Sequence, residues 1–386
     1  MRPADNVITI LEKLVAFDTT SRNSNLPLIH WVRDYLEGLG VAPLVIPNEA
    51  GDKALLLAHI GPQDVPAIAL SGHTDVVPVT GQNWTTDPFT LTERDGRLYG
   101  RGACDMKGFV ALALAAVPAL LKKPLKKPVE IVLTYDEETT MEGVAHAIRE
   151  IGSGWHKPEA IIVGEPTLMQ VVDAHLSIAG VRMRIKGRAA HSSMPQLGAS
   201  AVFAAEEIMA ELVKIREEFK AAGDPTGRFN PPYSTLNIGR VEGGTAHNIV
   251  AENCMLEFSL RGVPGYDIEE AVDRICAFAT GPVLARLRET APESDIAVQR
   301  WFSVPSLRPD PGSEAEKLAM RLAGTNSTAT VSYATEAGSF QEAGLATVVC
   351  GPGSIDQAHA PDEFITLEEL ARGERFIARL VEECSS

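Results

Sequence analysis

Basic charge is scarce in this chain. Its 386 residues carry 35 Lys and Arg against 51 Asp and Glu, a net charge of −16. A nucleic-acid or anionic-membrane partner leaves a basic footprint, so no nucleic-acid and no membrane partner is expected. The one basic run, Lys122-Lys-Pro-Leu-Lys-Lys127, falls between a predicted helix and a predicted strand and reads as a solvated loop. Cysteine is also sparse: residues 104, 254, 276, 350 and 384 are scattered and form no CxxC pair. That excludes a disulfide framework and a thiolate zinc site, and it suits a reducing compartment. The opening Met-Arg-Pro-Ala-Asp-Asn has no signal-peptide pattern and no apolar run approaches membrane-spanning length, so a cytoplasmic location is expected.

What the chain does contain is enough apolar material for a large interior. Hydrophobic residues make up 45% and charged ones 22%, and the length exceeds what one core normally supports, which predicts two domains. Helical periodicity opens the chain through Val7, Ile8, Leu11, Leu14 and Val15, then again through Trp31, Val32, Tyr35 and Leu36 before Gly38 and Gly40. Apolar runs then alternate with helices. Residues 53–60, 66–70, 129–135 and 160–163 read as strands, and 109–121 as a buried helix. Continuous apolar strands alternating with helices predict an α/β domain with a mixed, largely parallel sheet between helices.

The middle of the chain changes character. A half-exposed strand at 181–186, an amphipathic helix at 199–220, strands at 234–241 and 249–261 around a tight turn at 242–245, a helix at 268–288 and a strand at 295–304 give the order βαββαβ. That is a ferredoxin-like α+β unit. Helix, two strands (329–334 and 346–350) and a last helix follow. The expected organisation is a discontinuous catalytic domain, 1–179 with 305–386, interrupted by an inserted domain at 180–304.

Five clusters of metal-capable residues punctuate the α/β part. They are His73-Thr-Asp75, Gly102-Ala-Cys-Asp105-Met-Lys-Gly108, Asp136-Glu137-Glu138, Gly164-Glu165-Pro-Thr167 and Gln357-Ala-His359. In layered sheets of this kind, polar loops at the carboxyl ends of strands build the site. Imidazoles and carboxylates are competent zinc ligands, and a ligating His usually has a carboxylate behind it. His73 with Asp75 supplies ligand and orienter, although a capped turn accounts for that pair alone equally well. Asp105 lies between glycines near a helix start, where capping and cation bridging are both open to it. Glu137 and Glu138, adjacent at a strand end, point apart, so one can ligate while the other faces a water nucleophile; Asp136 is expected behind them. Two His, a bridging carboxylate, two terminal carboxylates and a spare Glu suit a binuclear metallohydrolase.

Together with Gly187-Arg-Ala-Ala-His191-Ser-Ser193, this ordered set resembles the co-catalytic zinc deacylases and carboxypeptidases, a family that includes deacetylases, desuccinylases, aminoacylases and glutamate carboxypeptidase. The resemblance covers essentially the whole chain. Residues 231–238, 243–250, 335–338 and 349–359 are most similar to its acetylornithine branch. The resemblance implies two divalent cations, zinc with cobalt or manganese as alternatives. One would be held by His73, Asp105 and Glu165, the other by Asp105, Glu138 and His359. It implies Asp75 as orienter of His73, Glu137 as general base, and His191 as an oxyanion donor supplied across a homodimer formed by the inserted domain, which also acts as a lid. It implies Arg261 as a clamp for a substrate α-carboxylate, assisted by Asn248, with His247 lining the pocket and Glu336 meeting a substrate amine. The implied reaction is removal of an acyl group, acetyl above all, from a small N-acyl amino acid such as N-acetylornithine. A desuccinylase, another deacylase or a dipeptidase would use the same chemistry, and a silent metal- or ligand-binding protein is the reading from another class. Thr139-Thr-Met-Glu142, Leu176-Ser177 and Ala334 depart from the branch pattern, and they bear on acyl and side-chain preference rather than on hydrolysis.

Overall fold

A computed structural model describes residues 2–386. The chain divides into two compact units, one of Met1–Ala174, Leu307–Thr330 and Thr335–Ser386, the other of His175–Ser306 with Val331–Ala334.

The first unit is built on an eight-stranded sheet. Its order is Leu44–Pro47, Ala54–Ile60, Val129–Thr134, Ile68–His73, Ala160–Pro166, Thr347–Gly351, Val172–His175, Ala329–Val331. The four strands 129–134, 68–73, 160–166 and 347–351 run parallel to their neighbours in that series. Strands 44–47 and 54–60 are antiparallel additions on one side. The expected mixed, largely parallel sheet between helices is what forms. The central strands are buried residue by residue, which is why they read as continuous apolar runs rather than alternating ones.

Helix Lys107–Lys122 lies against this sheet and is itself covered by helices Asp5–Val15 and Leu367–Ser385. Its Gly-Phe-Val-Ala-Leu-Ala-Leu sequence is apolar around the whole circumference because no face meets water. The fit is close at Gly164: a Cβ there would sit 2.0 Å from the Phe109 ring. Any side chain at 164 would push the strand that carries Glu165 off this helix.

The second unit is a four-stranded antiparallel sheet in the order Thr235–Gly243, Asn253–Gly262, Ser177–Lys186, Asp295–Val304. Alternation along strand 253–262 sends Cys254, Leu256, Phe258 and Leu260 inward to a core with helices Ala201–Ala222 and Ile268–Phe278. Ser200 caps the first of these, accepting the Phe203 N–H. Order and connectivity are ferredoxin-like, as expected.

Several local expectations are corrected. Residues 242–245 do not make a tight turn. One strand ends at Gly243 and the next begins at Asn253, and the intervening segment pairs with the His191 loop (Val250 N to Ala190 O, 2.8 Å). The helix expected over 268–288 is interrupted at Ala279–Val283, which contains Pro282, since proline cannot donate the next backbone bond. The strand expected over 329–334 stops at Val331. Helices Glu142–Ser153 and Ala337–Glu342 went unforeseen. Asp105 is not the helix cap: the helix begins at Lys107, the cap position is Met106, and no side chain there accepts a first-turn N–H.

Candidate active site

The carboxyl ends of the parallel strands gather the polar residues of the first unit. His73 is the last residue of strand 68–73, Glu165 is the penultimate residue of strand 160–166, and Asp136–Glu138 follow strand 129–134. Asp136 turns the chain with φ of 58°, a left-handed conformation that Asp tolerates better than most residues. Lys53 holds its carboxylate in a buried ion pair. The turn aims the Glu137 and Glu138 N–H groups at the Asp75 carboxylate, at 3.1 and 3.3 Å.

Asp75 therefore does three things. It accepts those two amides and the Ser21 hydroxyl at 2.7 Å, and its carboxylate lies 3.6 Å from His73 Nδ1, a nitrogen that also meets the Asp75 carbonyl at 3.0 Å. Burial opposes its charge, but His73 and Ser21 outweigh that and hold its pKa below the usual range. With Nδ1 turned to Asp75, His73 presents Nε2 to Asp105 Oδ1 at 3.1 Å and to Glu165 Oε1 at 3.6 Å. The other oxygen of Asp105 lies 3.3 Å from His359 Nε2, which is also 3.0 Å from Glu138. One carboxylate thus stands between two imidazoles.

His359 reaches this position with φ of 62°. The Asp105 loop is set by a residue the sequence reading passed over, Glu363. Its Oε1 accepts the Cys104 and Asp105 N–H groups at 2.9 and 3.0 Å, and its Oε2 accepts Gly102 N–H at 3.1 Å and Arg101 Nη1 at 2.7 Å. Arg101 and Glu363 are each 1% exposed, so the pair is internal. Its sequence signal was one more acid after Asp362, with a partner some 260 residues away.

Electrostatically the cluster is overloaded with acid. Burial first, then the neighbouring carboxylates, drives Glu137 and Glu165 well above the usual range against the pull of His73. Glu138 is raised by burial and Asp105. Hydrogen bonds to Asp105 and Glu138 push His359 up to about 10. Burial would lower His73, yet Glu165, Asp105 and Asp75 hold it well above its ordinary value. Glu165 Oε1 is buried without a hydrogen bond. The sets His73, Asp105, Glu138 and His73, Glu137, Glu165 each bring ligand atoms within 4.8 Å of one another. Converging carboxylates with too few donors fit cations: the donor set is oxygen and imidazole, suited to two divalent ions.

Glu336 is fully buried on the same unit, beside Thr134 and within the fields of His73 and Asp75; burial pushes it up to about 7. It is an interior group rather than a residue of an open loop. His191, Asn248, His247 and Arg261 belong to the second unit. There His191 Nδ1 accepts the Ser193 N–H at 3.1 Å and meets Ser193 Oγ at 2.7 Å, which assigns the proton to Nε2 and leaves that N–H pointing away as a donor. Asn248 O accepts the Ser192 N–H at 3.0 Å, tying the two loops together. Arg261 Nη1 donates to the Ser332 carbonyl at 3.4 Å and is otherwise exposed.

These pKa directions predict how the cation-free protein responds to pH. Glu336, Glu137, Glu138 and Glu165 are raised on folding, and His73 and His359 are raised too. Each favours the folded state below its unfolded value and loses that contribution as pH climbs through its folded value. Chelated protein should therefore melt at progressively lower temperature as pH rises from about 4.5, through the Glu336 value of about 7. Cation-loaded protein should not. A thermal series with and without chelator measures this, and parallel curves would count against it.

Comparison with known proteins places the chain. It is 34% identical over 99% of its length, and 98% of the other's, to an acetylornithine deacetylase of Pasteurella multocida. Solved structures of the same fold include aminopeptidase PepT from Bacillus cereus (22% identity, full coverage of both chains, TM-score 0.77). Another is the dinuclear metal binding peptidase YXEP of Bacillus subtilis (19% identity, 97% of this chain and 96% of that one, TM-score 0.64). A third is the metallo-carboxypeptidase Sso-CP2 of Sulfolobus solfataricus (19% identity, 98% and 99% coverage, TM-score 0.74). The model of Peptidase family M20/M25/M40 matches residues 69–383, and the chain is a member of that hydrolase family.

Proposed function

We propose that this chain removes the acetyl group from an N-acetyl amino acid, N-acetylornithine in the first instance. The observation that carries the chemistry is Asp105, whose two oxygens each face a different imidazole. Its position suits a carboxylate bridging two cations, with His73 and Glu165 completing one set and Glu138 and His359 the other. Zinc fits the ligands, and cobalt or manganese fits nearly as well. When bound, such ions lower the pKa of water and polarise an amide carbonyl.

The protein's own groups do the rest. Glu137 stands beside the cluster with an elevated proton affinity, suited to taking a proton from water and returning it to the leaving nitrogen. Asp75 keeps His73 in the orientation that exposes Nε2. The Nε2–H of His191 is a donor free to meet a developing oxyanion, and the exposed guanidinium of Arg261 can grip a planar carboxylate with two parallel bonds. Glu336, buried as it is, acts on charge balance beneath the cluster rather than on a substrate amine.

The acetylornithine reading of the substrate rests on the full-length relative from Pasteurella multocida. Amine release from N-acetyl, N-succinyl and N-formyl amino acids and from dipeptides, with zinc or cobalt and with chelator, tests it. Chelator-sensitive turnover of N-acetylornithine above the others is expected. Preference for a succinyl group or a dipeptide would move the specificity, and silence across the panel would sink the proposal.

A homodimer through the inserted unit belongs to the same reading. Phe203 (73% exposed), Leu197 (54%), Val241 (46%) and Ile249 (43%) are apolar side chains left in water on that unit, beside the open edge strand Thr235–Gly243. Exposed apolar groups in number mark interaction surfaces. Phe203→Glu should yield monomers that fold but turn over slowly, because His191 would no longer reach a partner's site. A monomer with full activity would refute the shared site. A cytoplasmic location is part of this proposal; among the described residues, no helix is long and apolar enough to cross a membrane.

A further inference from the structure

A second cluster of ligand-type side chains sits at the other end of the first unit's sheet. His59, on strand Ala54–Ile60, is directly opposite Glu130, on strand Val129–Thr134. His156, in the connection after helix Glu142–Ser153, stacks its ring on that of His59 with centroids 4.1 Å apart. Glu130 precedes Asp136 by six residues along the chain, roughly 20 Å at about 3.3 Å per residue, so these groups take no part in the hydrolytic cluster.

Glu130 is an anomaly in its setting. It is 0% exposed in a strand whose every residue is buried. A bare carboxylate there is costly unless something cationic accompanies it. His59 Nδ1 is 3.1 Å from Glu130 Oε1, while His59 Nε2 is 3.0 Å from the Pro62 carbonyl. A carbonyl can only accept, so Nε2 carries the proton. Nδ1 then turns its lone pair toward a carboxylate oxygen, and two acceptors face each other unless a proton or a cation lies between them. The second oxygen, Oε2, makes no hydrogen bond of good geometry; the Trp155 indole N–H lies near the carboxylate but is itself left unpaired. Ligand atoms of His59, Glu130 and His156 all lie within 4.8 Å of one another. His59, Trp155 and His156 line a surface cavity of about 400 Å³, through which an ion and a water ligand could enter.

We propose that His59, Glu130 and His156 form a separate binding site for a transition-metal cation of the zinc type. Two imidazoles and one carboxylate with an open position for water match the donors such ions prefer. The Pro62 carbonyl is the outer partner that fixes a ligating imidazole. Burial pushes Glu130 up to about 7, so the buried carboxylate gains from a cation beside it. The site ties a strand, its neighbour and the 154–159 connection together, with three protein ligands and one position left to water.

The test uses the untagged full chain, stripped with chelator, reloaded with zinc and freed of excess. Zinc per chain is measured for the parent and for His156→Ala. The variant should hold one zinc fewer, with turnover within about twofold of the parent. Crystals of the parent should show an anomalous zinc peak bonded to His59 Nδ1 and Glu130. Equal zinc content in the two proteins, or no peak between these residues, overturns the site. Glu130→Gln should lose the same ion; if that variant fails to fold, His156→Ala decides. The comparison is a difference between two chains that share the hydrolytic cluster, so it stands whatever that cluster binds.

Discussion

Glu137→Gln is expected to lower kcat by about 10²–10⁴-fold, the range a positioned general base supplies, with cation content unchanged. The amide is nearly isosteric, and the backbone N–H of residue 137 would still bond Asp75, so the turn should survive. The side chain alone loses the ability to accept a proton from water. KM should move little, because nothing in the role given to Glu137 involves holding substrate in the ground state. Paired kinetics and metal analysis would check this. Retained activity removes Glu137 from the mechanism. Lost cations would instead make it a ligand, which its place with His73 and Glu165 leaves geometrically open.

Asp105→Asn should be at least as damaging, for a different reason. The substitution keeps shape and leaves the bond from its N–H to Glu363 in place. It removes the one negative charge that lies between His73 and His359. Losing an outer partner of a ligand typically costs 10–100-fold in metal affinity, so losing a shared ligand should cost more than about 100-fold, and for both ions together. Turnover should fall to background at ordinary metal concentrations and recover only partly in excess. Loss of one ion with the other held at full affinity would show that Asp105 does not bridge.

Much of the fold is legible in the sequence. Buried parallel strands announce themselves as unbroken apolar runs, and the strand and helix order of the inserted segment identified its sheet. Boundaries suffered where tertiary contacts override local signals. The turn expected at 242–245 became a longer segment because residues 248–250 pair with the His191 loop. Helix Glu142–Ser153 hid behind Thr139-Thr-Met-Glu142, a stretch with a left-handed Met141 that gives no ordinary helix start. In the candidate site, side chains near strand ends carried a signal, whereas their supports did not. Lys53 reaches Asp136, Ser21 reaches Asp75 and Glu363 reaches the 101–105 loop, all across sequence separations that no local pattern encodes.

The dependence of the Asp105 loop on Glu363 has a consequence for how the protein comes into being. A ribosome delivers His73, Asp105 and Glu165 early, yet the carboxylate that shapes their loop, and His359 with it, arrive near the close of synthesis. Chains that stop short of residue 359 therefore lack both the support of the 101–105 loop and one imidazole of the candidate hydrolytic cluster. The cluster as a whole can take shape only once the C-terminal segment is in place.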